Sequence, residues 1–424
     1  MKYYLVGIKG SGLSSLAIIL KNLGHEVKGC DVKKYVFTEE ILQKENIEIE
    51  DIESFIVDDF DYIIIGNTFL DQFKNKFPAE KIMTYQQCLK ELVGKNNSLA
   101  VCGTHGKTTT TWMLAKVFNS FNNKTSYLVG DGHGKAYKQA NYFIFEACEY
   151  CDNFLNYYPK SIILTNVDYD HVDYFKTKEQ YQESFNKFLL HAKDYIFINE
   201  EIEEKILMNV TAKILKCGFN PTCDLYVYKY KFNQEGICFS FIYDNKDYKN
   251  IKLPIYGKHI FKDVLLSILC CLTYKIPFKV ILKELTNFQM PSRRFNETAI
   301  KNKNIIIDDY GHHPDEINST LSAIKQKYPN HKIVLVFHPD RYSRVINFFN
   351  EYLKVFNKVS EAYIISFINQ GKKEQELIKK FNENKIETLN EQIFNKNYYQ
   401  TIFFFTGSKD MSKYIKKLII KYSL

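Results

Sequence analysis

Short apolar runs alternate with stretches of helical period along almost the whole chain. Residues 3–7 predict a strand, and Leu13, Leu16, Ala17 and Leu20 recur at the spacing of one helical face. Residues 25–29 and 62–67 predict further strands, and the polar run 95–98 reads as a linker. A second block opens with a strand at 99–103 and a helix from Thr108, followed by strands at 142–147, 162–167 and 195–199. Between 225 and 256 the pattern changes to apolar–polar alternation around a turn at 233–236, which predicts an antiparallel meander beside a parallel sheet. Val264, Leu265, Ile268 and Leu272 mark a helix, and 287–292 reads as a second boundary. The last block interleaves strands at 305–308, 333–337, 363–367 and 402–405 with helices such as 316–327. Strands alternating with helices imply parallel sheets covered on both faces. The expected fold is therefore α/β in three domains, 1–96, 97–290 and 291–424.

The length of 424 residues allows two or three domains, and 45% hydrophobic with 25% charged residues describes an ordinary globular chain. No apolar run approaches the ~18 residues that span a bilayer, and the start reads as a strand entering a glycine loop, so a cytoplasmic protein without membrane contact is expected. The net charge of +8 comes from lysine dispersed along the chain, which argues against a nucleic-acid footprint. Ten cysteines are scattered, and the lone Cys148-x-x-Cys151 pair is read as free thiols. Only four basic residues are arginine, Arg293, Arg294, Arg341 and Arg344. In so lysine-rich a chain these forks are the first candidates for gripping phosphate or carboxylate.

Glycines cluster in three loops, 7–12, 103–106 and 130–134. Gly103-Thr104-His105-Gly106-Lys107-Thr108-Thr109 follows a strand and opens a helix, the context of a phosphate loop. Backbone N–H groups would cradle phosphates, Lys107 would reach the β/γ oxygens and Thr108 would hold magnesium. Gly7, Gly10, Ser11 and Gly12 form a second strand-to-helix loop. Asp31 lies near the offset at which an acid meets a ribose. Glu146 ends one strand, and Asn166, Asp168, Asp170 and His171 follow another, so both groups are expected to converge on the phosphate loop at the carboxyl ends of the sheet. Later come Asp308–Asp309, His312-His313-Pro314 and the stretch 338–344 containing Arg341 and Arg344. There a substrate contact or a capped helix start suits the adjacent histidines better than metal.

With these motifs in hand, the chain resembles the Mur ligase family over nearly its whole length, above all in G-T-H-G-K-T-T-T-T and D-D-Y-G-H-H-P. The resemblance implies a UDP-binding Rossmann-like domain, a P-loop ATPase domain and a Rossmann-like C-terminal domain. It implies ATP and Mg²⁺ as cofactors, and UDP-N-acetylmuramate and L-alanine as substrates joined through an acyl phosphate, in a monomer or weak homodimer. By motif, Gly103–Thr109 would bind ATP together with Arg294 and Asp309. Thr108, Glu146 and His171 would ligate metal, and His171 would also serve catalysis with Lys107, Arg294 and Asp309. Gly7, Gly10, Ser11, Gly12, Asp31 and Thr68 would hold the UDP-sugar, with His312, His313, Arg341 and Arg344 on the substrate side. The family's G-x-H-N-x-x-N reads Gly257 to Asp263 here, with Ile260 and Asp263 at the asparagine positions, and Asp340 stands where a histidine is usual. No lysine matches the one that some members carbamylate; Asn186 and Lys187 lie near its place. Two alternatives are addition of a peptide to the same nucleotide sugar, and a paralogue that binds nucleotide without ligating.

Overall fold

The computed structural model describes residues 1–54, 59–121, 124–367 and 371–423. Three sheets follow one another along the chain. The first has five parallel strands with Lys2–Val6 at its centre, flanked by Glu26–Asp31 and Tyr62–Ile65. Among the described residues the second has ten strands and the third has six, of which only Asn296–Ile300 is antiparallel to its neighbour. Apolar clusters lie on both faces of each sheet, as buried parallel strands require. The chain is thus α/β throughout with three domains.

In the middle sheet, Ser98–Cys102 is fully buried and pairs with Tyr142–Glu146 on one side and Ser161–Leu164 on the other. The winding direction reverses at this strand, because the chain first builds one side, laying Thr125–Leu128 outside and then Tyr142–Glu146 between it and Ser98–Cys102. It then returns to build the opposite side through Ser161–Leu164, Tyr195–Asn199 and Lys213–Gly218. A sheet of this kind opens a crevice at the carboxyl end of the reversal point, and the phosphate-loop sequence emerges there. The expected meander is present as Leu225–Asn233, Gly236–Tyr243 and Lys246–Leu253.

The third glycine loop joins the first two domains. Ser14 and Ser15, on helix Ser11–Asn22, donate to the carbonyls of Gly132 (2.9 Å) and Val129 (2.7 Å). A Cβ at Gly134 would lie 2.3 Å from the Ser15 carbonyl oxygen, so only glycine permits this approach. The same loop is tied to the middle sheet, where the Gly130 amide donates to Glu146 Oε1 at 2.6 Å.

Candidate active site

Helix Lys107–Ser120 starts from Gly106, whose φ of +81° is a left-handed conformation that glycine adopts freely. Gly106 offers no side-chain cap, so the first-turn amides are left to an incoming anion. The loop before it is held by Asn166. Its side chain accepts from the His105 amide and donates to the His105 carbonyl, both at 3.0 Å. Thr104 is buried and bonded to the Asp168 backbone and to the Tyr181 hydroxyl at 2.8 Å.

The Lys107 ammonium folds back over the loop, donating to the carbonyls of Gly103 and Thr104 and to both oxygens of Glu149 at 2.9 and 3.2 Å. Glu149 is 1% exposed and also meets His171 Nε2 at 3.2 Å. Burial alone would raise the Glu149 carboxyl, but Lys107 and His171 outweigh it and hold it below the usual carboxylate range. Burial likewise opposes the charge on Lys107, and Glu149 more than restores it. Glu146 lies beside Thr108, and burial pushes its carboxyl up.

The third domain supplies the opposite wall. Strand Asn304–Asp309 ends at Asp309, whose buried carboxylate accepts from the amides of Phe295 (2.9 Å) and Gly311 (2.8 Å). Arg294 lies over the Tyr310 ring at 5.1 Å and reaches Glu316 at 3.9 Å. His313 caps helix Pro314–Lys327, and Glu316 completes the box by accepting from the amides of His312 (2.9 Å) and His313 (3.1 Å). The paired histidines therefore start a capped helix. Burial drives His312 down to about 4, so its ring is neutral.

Glu316 also crosses to the middle domain, with Oε1 3.1 Å from His105 Nδ1. Burial disfavours protonated His105, yet Glu316 outweighs it and lifts the imidazole above its ordinary value, while His105 helps hold Glu316 well below its own. Between these walls lies a cavity of about 780 Å³, lined among others by Gly106, Thr109, Asn166, Asp263, Arg294 and Asp309. That volume suits a nucleotide-sized ligand.

Each candidate from the sequence has a definite place. Lys107, Thr108, Glu146 and His171 gather at the crevice, and Arg294, Asp309, His312 and His313 gather across the cavity. Arg341 and Arg344 instead face the middle domain: Arg344 pairs with Asp170, and Arg341 donates to Asp173 at 3.1 Å. Arg293 grips Asp308 and the carbonyls of Gly407 and Ser408, fastening the last strand's turn. Asp340 pairs with Lys409. In the first domain, Gly10 caps helix Ser11–Asn22 without a side chain, leaving another anion-ready helix start, and Thr68 is exposed next to Phe69, whose ring lies against Gly7 of that loop. Asp31 uses both oxygens on the amides of Lys9 and Val32, each at 2.7 Å, so in this structure it organises the loop. Asn186 bonds to the carbonyls of Ile206 and Met208, and Lys187 pairs with Glu183 in solvent.

Residues 2–77 match the family model "Mur ligase family, catalytic domain", 101–271 the Mur ligase middle domain and 293–403 the Mur ligase glutamate ligase domain. The chain belongs to the Mur ligase family. It is an ATP-dependent ligase of that family. Among solved structures, the UDP-N-acetylmuramate–alanine ligase of Thermotoga maritima is similar, with 20% identity, a TM-score of 0.81, and 100% of this chain and 99% of that one covered. A murein peptide ligase from Psychrobacter arcticus is similar at 18% identity and a TM-score of 0.73, covering 100% and 98%. A MurF ligase from Thermotoga maritima in complex with ADP matches at 16% identity and a TM-score of 0.65, covering 93% and 94%. These likenesses establish a shared Mur ligase fold.

The site's donor chemistry fits magnesium. No group of three or more His, Cys, Asp or Glu among the described residues could hold a metal ion, so no all-protein cage is present. Magnesium in phosphate-handling sites takes only one or two protein oxygens and completes its shell with phosphate and water. The adjacent Thr108 hydroxyl and Glu146 carboxylate offer such a set. Two site residues were missed in the sequence. Glu316 carries a legible signal, an acid three residues after a capping residue with proline between. Glu149 is marked only by its proximity to Glu146.

Proposed function

We propose that this Mur ligase joins L-alanine to the lactyl carboxylate of UDP-N-acetylmuramate. The reading rests on one arrangement: His105, Gly106 and Thr109 of the phosphate loop face Arg294, Asp309 and Glu316 across a nucleotide-sized cavity, and the same loop carries Lys107, bound to Glu149, which in turn meets His171. Similarity to the alanine ligase over the full chain supports this choice of substrates.

ATP would sit with its phosphates on the 103–109 loop, where Lys107 exchanges the loop carbonyls for phosphate oxygens. Thr108 and Glu146 would hold Mg²⁺, which neutralises phosphate charge when bound. Arg294, from the opposite wall, would place its fork on the nucleotide. The carboxylate of the sugar nucleotide attacks the γ-phosphorus, ADP leaves, and an acyl phosphate results. The amine of L-alanine then attacks the acyl carbon, and phosphate departs as the amide forms. Such transfers depend on positioning and charge neutralisation, which these residues offer. The loop at Gly7–Gly12 would take the UDP diphosphate, and the Ser14–Gly132 and Ser15–Val129 contacts would hold the sugar nucleotide's domain in register with the crevice.

A second reading is supported by likeness to a murein peptide ligase: a peptide in place of L-alanine. A competition experiment separates them. With ATP, Mg²⁺, UDP-N-acetylmuramate and equimolar L-alanine and L-Ala–γ-D-Glu–diaminopimelate tripeptide, mass spectrometry should show the alanyl product in excess. Excess tripeptide product would overturn the alanine assignment in favour of the peptide.

A further inference from the structure

Asp263 is a buried acid that the proposed chemistry does not use. It sits in the second turn of helix Lys258–Thr273, is 5% exposed and lines the nucleotide cavity. Its two carboxyl oxygens press against the phosphate loop: a Cβ at Gly106 would lie 2.7 and 2.8 Å from them.

Among the described residues, the cations that act on it are engaged elsewhere. Lys262, next to it on the same helix, pairs with Glu201. His105 on the phosphate loop and Arg294 from the third domain both reach Glu316. His259 on its own helix is driven down to about 4 by burial and is neutral. The Thr110 hydroxyl on the loop helix favours the ionised form by hydrogen bonding but is outweighed by burial, and Cys217 on strand Lys213–Gly218 brings no positive charge. Among the described residues Asp263 has no ion-pair partner, and burial pushes its carboxyl well above the usual range.

An ionised carboxylate here would stand beside the helix start that receives phosphate and would repel it. A protonated one adds no charge and presents an O–H donor. We infer that Asp263 enters the nucleotide site as a neutral carboxylic acid and donates its proton in a hydrogen bond to the nucleotide seated against Gly106. The inference rests on the ATP-site reading above and assigns Asp263 a binding role within it.

Calorimetric titration of the full chain with ADP and Mg²⁺, from about pH 6 to about pH 9.5, tests this on wild type, Asp263→Asn and Asp263→Ala. Asparagine keeps a donor and cannot ionise. It should bind within about threefold of wild type near neutral pH, while alanine, lacking the donor, should bind about tenfold more weakly. As pH rises, wild type should weaken relative to Asp263→Asn, a ratio that cancels the titration of ADP and of His105. Thermal midpoints confirm that the variants fold, and the isosteric asparagine serves if alanine does not. The inference is overturned by Asp263→Asn binding about tenfold tighter than wild type at neutral pH, which would reveal an ionised carboxylate. A ratio flat with pH would overturn it, as would Asp263→Ala binding like wild type. If wild type binds no ADP at any pH, the ATP-site reading fails and takes this inference with it, whereas normal binding with a flat ratio removes this inference alone.

Discussion

Arg344 and Asp170 lie 174 positions apart and meet as a buried fork: Nε and Nη2 of Arg344 donate to the two carboxylate oxygens at 3.1 and 3.3 Å. Each side chain is 7% exposed, and the pair joins the third domain to the loop that carries His171. Burial opposes the charge on Asp170, yet Arg344 holds its carboxyl far below the usual range. Removing one partner of such a pair strands the other, at a cost of about 3–5 kcal/mol. Arg344→Ala should therefore lower the thermal midpoint and enlarge the radius of gyration in small-angle scattering as the domains part. Arg344→Lys keeps the charge but loses the fork, and should fall between. An unchanged midpoint in Arg344→Ala would show that the pair does not couple the domains.

The His105–Glu316 contact makes the same interface depend on pH. The His105 pKa is raised on folding, so its contribution is full below about pH 6.5 and is lost as pH rises through the raised value. The Glu316 pKa is depressed, so its contribution is present above about pH 4.5 and is lost as pH falls through the depressed value. The contact should be strongest between those limits. Stability measured by denaturant melts should decline on the alkaline side in wild type, and this limb should flatten in His105→Gln.

Lys107→Ala should reduce kcat by at least about 10²–10³, the scale on which losing one preorganised charge-stabilising donor slows a reaction. The fold should persist, and circular dichroism would verify it. Glu149→Gln removes the buried counter-charge and should shift the pH dependence of turnover. Retained turnover in Lys107→Ala would count against the phosphate-loop assignment.

Among the four arginines, Arg294 is the one lining the cavity. Arg294→Lys preserves charge and removes the planar fork, so KM for ATP should rise about tenfold, the equivalent of a charge-assisted hydrogen bond. An unchanged KM would mean that charge alone suffices there.

Much of this architecture is legible in the sequence because its signals are local. Strand Tyr195–Asn199 is bounded as its apolar run predicts, and Lys107 and Thr108 follow directly from a strand, a glycine turn and a helix in unbroken order. Short edge strands such as Ile82–Met83 and Glu387–Thr388 are too brief to give a period. Strand Lys246–Leu253 is largely polar because it lies at the sheet's edge, with most of its side chains in solvent. Helix Pro314–Lys327 begins two residues before the predicted 316, because His313 and Glu316 cap it. Nothing local in the sequence marks the acids that Arg341 and Arg344 meet. Asp170 and Asp173 come into reach only when two domains pack together, and spacing along a chain does not encode such a meeting.

The proposed ligase consumes ATP only when both acceptor and amine are present. Phosphate release should be followed with ATP, Mg²⁺ and UDP-N-acetylmuramate while L-alanine, L-serine, glycine or L-Ala–D-Glu peptide is added in turn. Release that requires UDP-N-acetylmuramate and is greatest with L-alanine is the expected result. Release indifferent to every amine, or none at all, would contradict the account.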